Sequence, residues 1–308
     1  MAASLPPLVL TGASGFIGRR VLHALARRDA AAVTAVARDT AHLTTLPEWQ
    51  SRWRALACDL GKDDLPADVL PRDAVFLHLA ASTGRLSPAE MSRVNVEGTR
   101  RVLASARATG ARHLVFVSSI AAGFDDQRWY HYARAKSAAE QLVLGSGVPC
   151  SVVRPTMVFG RGSPLERALV GLATSPLPIV LGSGDVQVQP VHVDDVVQVL
   201  LALAARAPVS GAPLELGGRD RVTLRELLAR IRTARGLPPR TPHSLPIGLL
   251  RLLLGTVEPV LRPLMPVTAG QLASFVNDSD ATPHPALADL LPGPLGIEEM
   301  LTRGAPDD

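Results

Sequence analysis

Five apolar runs of strand length, separated by stretches of helical periodicity, constrain this 308-residue chain more than any other feature. The runs are Leu8–Thr11, Val33–Ala37 and residues 74–81, 113–118 and 150–154. The helical stretches include residues 16–28, 89–109 and 132–144. A run that is apolar at nearly every position offers no face to water. It must be buried on both sides, which is the situation of a strand in a parallel sheet covered by helices above and below. The expected fold class is therefore α/β, a doubly wound parallel sheet. Beyond residue 154 the texture changes: Pro and Gly punctuate 161–190, and proline-broken helical pieces fill 241–266. Residues 1–160, joined again by 185–210, are expected to form the sheet domain, and 161–308 mainly a smaller, mostly helical C-terminal lobe that binds substrate. An apolar content of 47% gives such a chain enough material for a large core.

Other classes are excluded by what the chain lacks. Cys58 and Cys150 lie far apart, with no CxxC or Cys/His spacing, so neither a disulfide framework nor a zinc site is expected and both thiols read as buried. The net charge of +4 comes from scattered arginines, without a basic run interleaved with aromatics, so no nucleic-acid partner is expected. The opening MAASLPPLVL carries neither a basic leader nor an apolar stretch long enough for export, which makes the cytoplasm the expected compartment.

The first strand runs into VLTGASGFIG, where Gly12, Gly15 and Gly18 fall within seven positions. A strand-to-helix turn in a parallel sheet points the free N–H groups and positive dipole end of the helix above the sheet edge, which makes an anion site. Gly12 permits the tight turn, Gly15 lets a pyrophosphate approach the backbone, and Gly18 lets the helix pack on the strand; Ser14, Phe16 and Ile17 complete the loop. A dinucleotide cofactor follows. The second strand ends in Ala37 and Arg38, where NAD sites usually carry a carboxylate for the ribose 2′-hydroxyl. A guanidinium there pairs with a 2′-phosphate instead. NADP(H) is the expected cofactor with Arg38 as its contact; NAD(H) is the alternative, and Asp39 is the neighbour that argues for it.

The segment WYHYARAKSAAE places Tyr132 and Lys136 four apart on a helix, hence on one face. The whole chain holds two lysines, Lys62 and Lys136, and two tyrosines, Tyr130 and Tyr132, so chance rarely produces this pair. An ammonium beside a phenol is expected to lower the phenol's pKa and let Tyr132 exchange a proton with a carbonyl or hydroxyl oxygen. Tyr130, spaced with Arg134, is expected to face elsewhere as packing or substrate wall. Upstream, the strand HLVFV ends in Ser118 and Ser119 at the carboxyl edge where ligands sit. Ser119 is expected to hydrogen-bond the reacting oxygen. A hydrolase is excluded by the missing GxSxG elbow.

These residues together resemble the extended short-chain dehydrogenase/reductase family, also labelled NAD-dependent epimerase/dehydratase, whose sheet is of the Rossmann type. The match comprises TGxxGxxG at Gly12, Gly15 and Gly18, Asp59 in ACDL, HLAA at His78 to Ala81, Asn95 in VNVEGT, Ser119, Tyr132 with Lys136, RPTMVFG from Arg154, and PVHVDDVV from Pro190. The resemblance implies that Asp59 and Leu60 hold the adenine, that Leu79, Ala80 and Ala81 line the cofactor, and that Lys136 also binds the nicotinamide ribose. It further implies that Pro155, Thr156 and Val158 contact the nicotinamide, and that the protein forms a homodimer through the helices at 89–109 and 132–144. Two departures matter. Thirteen positions separate Ser119 from Tyr132, shorter than is usual among sugar-nucleotide members, and RPTMVFG lacks the Asn that contacts a substrate diphosphate. The pattern is closer to members acting on apolar alcohols and ketones. QPVHVDDV is also similar to the complex I 39 kDa-like branch, which binds NADPH without substrate turnover.

HVDD lacks a convergent ligand set, so no metal is expected. Asp194 or Asp195 is expected to cap a helix over 196–206, with His192 packed beneath the substrate lobe. The apolar stretch 245–267 is interrupted by Arg251, Glu258, Arg262, Pro259 and Pro263, which argues against a membrane span. Its charges form one stripe, leaving two readings: a lid over an apolar substrate pocket, or a helix lying on a membrane surface, which would make the protein peripheral. The leading expectation is an NADP(H)-dependent oxidoreductase moving hydride between nicotinamide and a secondary alcohol or ketone. The alternatives are an epimerase or dehydratase of sugar nucleotides or related compounds, and a non-catalytic NADPH-binding assembly or sensor protein.

Overall fold

Side-chain alternation along the buried strands decides the layering. In β1 (Leu8–Thr11), Leu8 and Leu10 enter one apolar cluster and Val9 the opposite one, and all three are fully buried. The computed structural model describes residues 5–28, 32–83, 86–209, 211–245 and 277–303. After β1 the chain runs through α1 (Phe16–Ala26), β2 (Val33–Ala37), α2 (Ala41–Thr44), β3 (Arg54–Ala57), β4 (Val75–His78), α3 (Pro88–Ser92), a π-helical turn (Arg93–Glu97) and α4 (Gly98–Ala108). It continues through β5 (His113–Val117), α5 (His131–Leu144), β6 (Cys150–Pro155), β7 (Val158–Phe159), α6 (Pro164–Thr174), β8 (Ile179–Leu181), β9 (Gln187–Val188) and β10 (Val191–His192). There follow α7 (Val193–Ala204), β11 (Leu214–Leu216), β12 (Val222–Thr223), α8 (Leu224–Ala234), β13 (His243–Leu245) and the helices Pro285–Leu290 and Ile297–Arg303.

Seven of these strands form one parallel sheet in the order β11-β6-β5-β4-β1-β2-β3, the doubly wound arrangement expected from the apolar runs. The order reverses between β1 and β4, and the crevice opened there above the strand ends is where such sheets bind ligands. One face is sealed by α1 and α7 through Val21, Leu22, Leu25, Val196 and Leu200. The other is sealed by α4 and α5 through Val102, Leu103, Ala106, Ala139 and Val143, against Phe76, Leu114 and Phe116. A separate apolar cluster, with Phe159, Leu169, Leu227, Ile231 and Met300, unites α6, α8 and the last helix into the smaller lobe. Three two-stranded pieces, β7 with β10, β9 with β12, and β8 with β13, complete that lobe.

Three local details differ from expectation. The helix expected over 89–109 is two helices joined by the π-helical turn, which inserts extra backbone around the buried Asn95. The helix expected over 196–206 begins at Val193, and neither Asp194 nor Asp195 caps it. His192 does: its Nδ1 accepts the Asp194 N–H at 3.2 Å. Asp194 is drawn away by a bidentate pair with Arg20 of α1, at 2.6 and 3.1 Å, and Asp195 accepts the Leu295 N–H at 2.9 Å. The apolar run 74–81 is strand only to His78; Leu79 to Ala81 leave the sheet. Of the apolar stretch 245–267, residues 246–267 lie outside the described residues, and Leu245 closes β13. Among the described residues no helix is long and apolar enough to cross a membrane.

The turn between β1 and α1 has no room for a side chain at Gly12 or at Gly18. Gly12 has φ +72°, and a Cβ there would stand 2.7 Å from the Ala80 N. At Gly18 a Cβ would stand 2.2 Å from the Gly12 carbonyl oxygen, backbone against backbone, so nothing flexible can yield. Gly18→Ala is accordingly expected to cost about 1–3 kcal/mol of folding stability, read as a lowered midpoint in urea unfolding.

Candidate active site

The crevice above β1 and β4 divides into two connected recesses that share Gly12, Gly15, Leu79 and Ala81. The outer recess holds Ser14, Arg38, Asp59, Leu60 and Ala80. The inner holds Phe16, Ile17, Gly18, Ser119, Tyr132, Lys136, Pro155, Thr156 and Val158. Every site residue named from the sequence therefore lines one continuous cleft. Its floor fits a dinucleotide. Gly15 is the N-cap of α1 and brings no side chain of its own to the first free N–H groups, so a phosphate can approach them.

At the outer end Arg38 is exposed and makes no ion pair among the described residues. Asp39 is occupied: its Oδ1 accepts the Ala41 N–H at 2.9 Å, opening α2. The Asp59 carboxylate accepts the Gly61 N–H at 3.0 Å and lies 3.7 Å from Lys62, so its turn is fixed before any ligand arrives. Cys58, at the back of this recess, is a buried thiol whose pKa burial raises. Among the described residues no group of metal-binding side chains converges.

The wall formed by 79–83 is held from behind by a polar chain that sequence reasoning did not assemble. Thr99 donates to the Asn95 carbonyl at 2.7 Å, so it accepts from His78 Nε2 at 2.9 Å. That leaves His78 Nδ1 to accept from Thr11 Oγ1 at 2.7 Å, and Thr11 Oγ1 in turn accepts the Ala80 N–H at 3.3 Å. The ring is neutral, because burial and then the neighbouring Lys136 push its pKa down to about 3. The Asn95 side chain clasps Ser82, accepting its N–H at 2.7 Å and donating to its carbonyl at 2.9 Å. The sequence signal was available in HLAA and VNVEGT, but neither motif shows that one braces the other.

At the inner end Ser119 follows β5, its Oγ accepts the Ala121 N–H at 3.3 Å, and its hydroxyl is close enough to the Tyr132 phenol to favour the phenolate. Ser118 Oγ is buried with no hydrogen-bond partner among the described residues. Lys136 is 2% exposed; its Nζ donates to the Val117 carbonyl at 2.7 Å and sits 4.2 Å above the Phe116 ring. Here one expectation is corrected. The phenol's pKa is raised, not lowered: burial dominates, the neighbouring Tyr130 adds to it, and the Ser119 hydrogen bond only partly opposes. The ammonium cannot supply the expected pull, because desolvation brings its own pKa down to about 7 despite Glu140. Tyr130 is absent from the lining of the inner recess and packs against Ile120, Ala121, Phe124 and Ala133. Its ring lies 5.8 Å from that of Tyr132 and stacks on Phe124 at 6.5 Å.

The chain matches the model of the NAD dependent epimerase/dehydratase family over residues 8–217. It is 33% identical over 241 residues to the ceramide reductase of Caulobacter vibrioides, covering 76% of this chain and 72% of that one. It is 30% identical over 239 residues to the 4-hydroxy-2-methyl-3-oxo-4-farnesyl-3,4-dihydroquinoline-1-oxide ketoreductase of Stigmatella aurantiaca, covering 67% and 69%. Among solved structures, the UDP-glucuronic acid 4-epimerase of Bacillus cereus in complex with NAD superposes with a TM-score of 0.72 over 96% of each chain, at 17% identity, which speaks for the fold alone.

The buried lysine makes stability pH-dependent. An unfolded chain keeps the lysine proton to 10.5, whereas folded Lys136 releases it near about 7. Between those limits the unfolded state binds the extra proton, so stability of the cofactor-free protein is expected to rise with pH. Urea unfolding across that range should show the rise in the wild-type protein and a flatter profile in Lys136→Met.

Proposed function

The chain belongs to the NAD dependent epimerase/dehydratase family, and from that premise we propose that it is an NADP(H)-dependent oxidoreductase reducing a ketone on an apolar small molecule to the secondary alcohol. The observation that carries this reading is the convergence of Ser119, Tyr132 and Lys136 in one cleft with the glycine turn. A protein that only held the cofactor would have no use for a hydroxyl, a phenol and an amine grouped there.

NADPH, when bound, supplies the hydride. The protein's own groups handle the oxygen and the proton. Ser119 and Tyr132 hold the carbonyl oxygen by hydrogen bonds, and Tyr132 donates its proton as charge builds there. A phenol whose pKa is raised stays protonated at neutral pH, which suits it to act as the acid in the reduction. Lys136, anchored on the Val117 carbonyl at 2.7 Å, is read as the group that binds the ribose. Pro155, Thr156 and Val158 form the far wall, and Thr156 keeps its place by a hydrogen bond to the Gln189 carbonyl.

Support for NADPH comes from the exposed Arg38, which has no ion pair among the described residues, together with an Asp39 already engaged by α2. Support for an apolar ketone comes from the names of the two relatives, a ceramide reductase and a farnesyl-bearing ketoreductase. Long-chain aliphatic ketones are the substrates to try first.

Tyr132→Phe is expected to bind NADPH as the wild-type protein does and to lose about 10²- to 10⁴-fold in turnover, followed by NADPH absorbance. Undiminished turnover would remove the phenol from the mechanism. Arg38→Ala is expected to weaken NADPH binding about tenfold while leaving NADH unchanged, by fluorescence titration; an unaltered preference would sink the 2′-phosphate reading.

A further inference from the structure

We infer that Arg154 is a positioning residue of the reaction proposed above, holding the helix of Tyr132 and Lys136, the strand leading into Pro155 and Thr156, and the turn behind Ser119 in one arrangement. This rests on the proposed reduction for its meaning and on geometry for its support.

Arg154 lies one residue before the cleft wall, near the end of β6. Its guanidinium meets Glu140 of α5 twice, Nε to Oε1 at 3.0 Å and Nη2 to Oε2 at 2.7 Å, a fork that fixes direction as well as distance. Its third arm, Nη1, reaches Glu215 Oε1 of β11 at 3.2 Å. The other oxygen of Glu215 accepts the Thr282 N–H at 3.0 Å, which extends the tie to the segment entering the helix Pro285–Leu290. On the remaining side stands Gly123, in the turn that begins after Ser119. A Cβ there would lie 2.9 Å from Nη1, so the guanidinium is packed directly against that turn.

Glu140 is 2% exposed, and the Arg154 and Glu215 side chains are 18% and 19% exposed. Buried ion pairs are poor stabilisers, because desolvation consumes most of what attraction returns and apolar replacements do as well. Three such charges under the active-site floor point to orientation. Glu140 also stands one helical turn from Lys136 and favours its charged form. The charged and titratable groups around Lys136 are then Tyr132 and Glu140 on its own helix, His78 from β4, and beyond Glu140 the pair Arg154 and Glu215 from β6 and β11. His78 stays neutral above pH 5 because its pKa is about 3.

The test compares Arg154→Lys, Glu140→Gln and Glu215→Gln with the wild-type protein saturated with NADPH. Arg154→Lys keeps the charge and loses the fork. It is expected to lower kcat about tenfold with KM for NADPH within about twofold. Glu140→Gln removes the carboxylate that favours charged Lys136 and is expected to move the apparent pKa of kcat downward. A lowered melting temperature with kcat and pH profile unchanged in both would reduce the network to scaffolding and overturn the inference. Should neither variant fold, Glu215→Gln, which leaves the Glu140 pair intact, is read instead. A severalfold fall in kcat is expected, and full turnover overturns the inference. A wild-type protein that binds NADPH and reduces no ketone sinks the function and not the positioning. Hydrogen exchange in the NADPH complex then decides: Arg154→Lys is expected to speed exchange in residues 119–123 and 131–144 together, and unchanged protection in both overturns it.

Discussion

A parallel sheet sealed on both faces has only its edges left for chemistry, and that constraint organises this molecule. The strands β1, β2, β4 and β5 are buried at every position. Helices cover both faces, so ligands meet the protein at the carboxyl ends of the strands. There the turn residues Gly12 to Gly18 come from β1, the wall 79–81 from β4, Ser119 from β5 and Pro155 from β6. Residues more than a hundred positions apart share a cleft because their strands end at one level.

Legibility followed the length and burial of each element. Four-to-six-residue apolar strands announced themselves, as did the glycine turn and the Tyr132–Lys136 pair on one face of α5. The edges were harder. β3 has exposed ends, Arg54 and Ala57, and β11 is three residues long, so neither forms a continuous apolar run. The cap of α7 was misread because a short HVDD offers three residues able to cap, and the choice was made by distant partners, Arg20 and Leu295. The cleft's membership was readable from strand ends; its electrostatics were not. Whether Lys136 lowers the phenol's pKa depends on how much water each group keeps, and desolvation outweighs proximity here.

The polar chain behind the cleft shows how such a site holds its shape without a ligand. Thr11 donates to His78, His78 to Thr99 and Thr99 to the Asn95 carbonyl, while Asn95 and Ser82 exchange one bond each way, so each residue gives what its neighbour needs. Each bond is worth about 1 kcal/mol net, but a missing partner would strand a buried polar group at roughly 1–3 kcal/mol. The arrangement therefore resists partial change more than its net energy implies.

The π-helical turn at Arg93–Glu97 gives this chain an unusual sensitivity to length. The wider turn lets Asn95 look inward to Ser82 while Val102 and Leu103, a few residues on, still meet the sheet. The wider turn takes up one residue more than a regular helical turn, so deleting a single position here would restore a regular helix with Val102 and Leu103 still on the sheet, and the inward set of Asn95 toward Ser82 would be lost. A stretch that looks like ordinary helix surface is thus fixed in its residue count, while substitutions on its exposed side remain free.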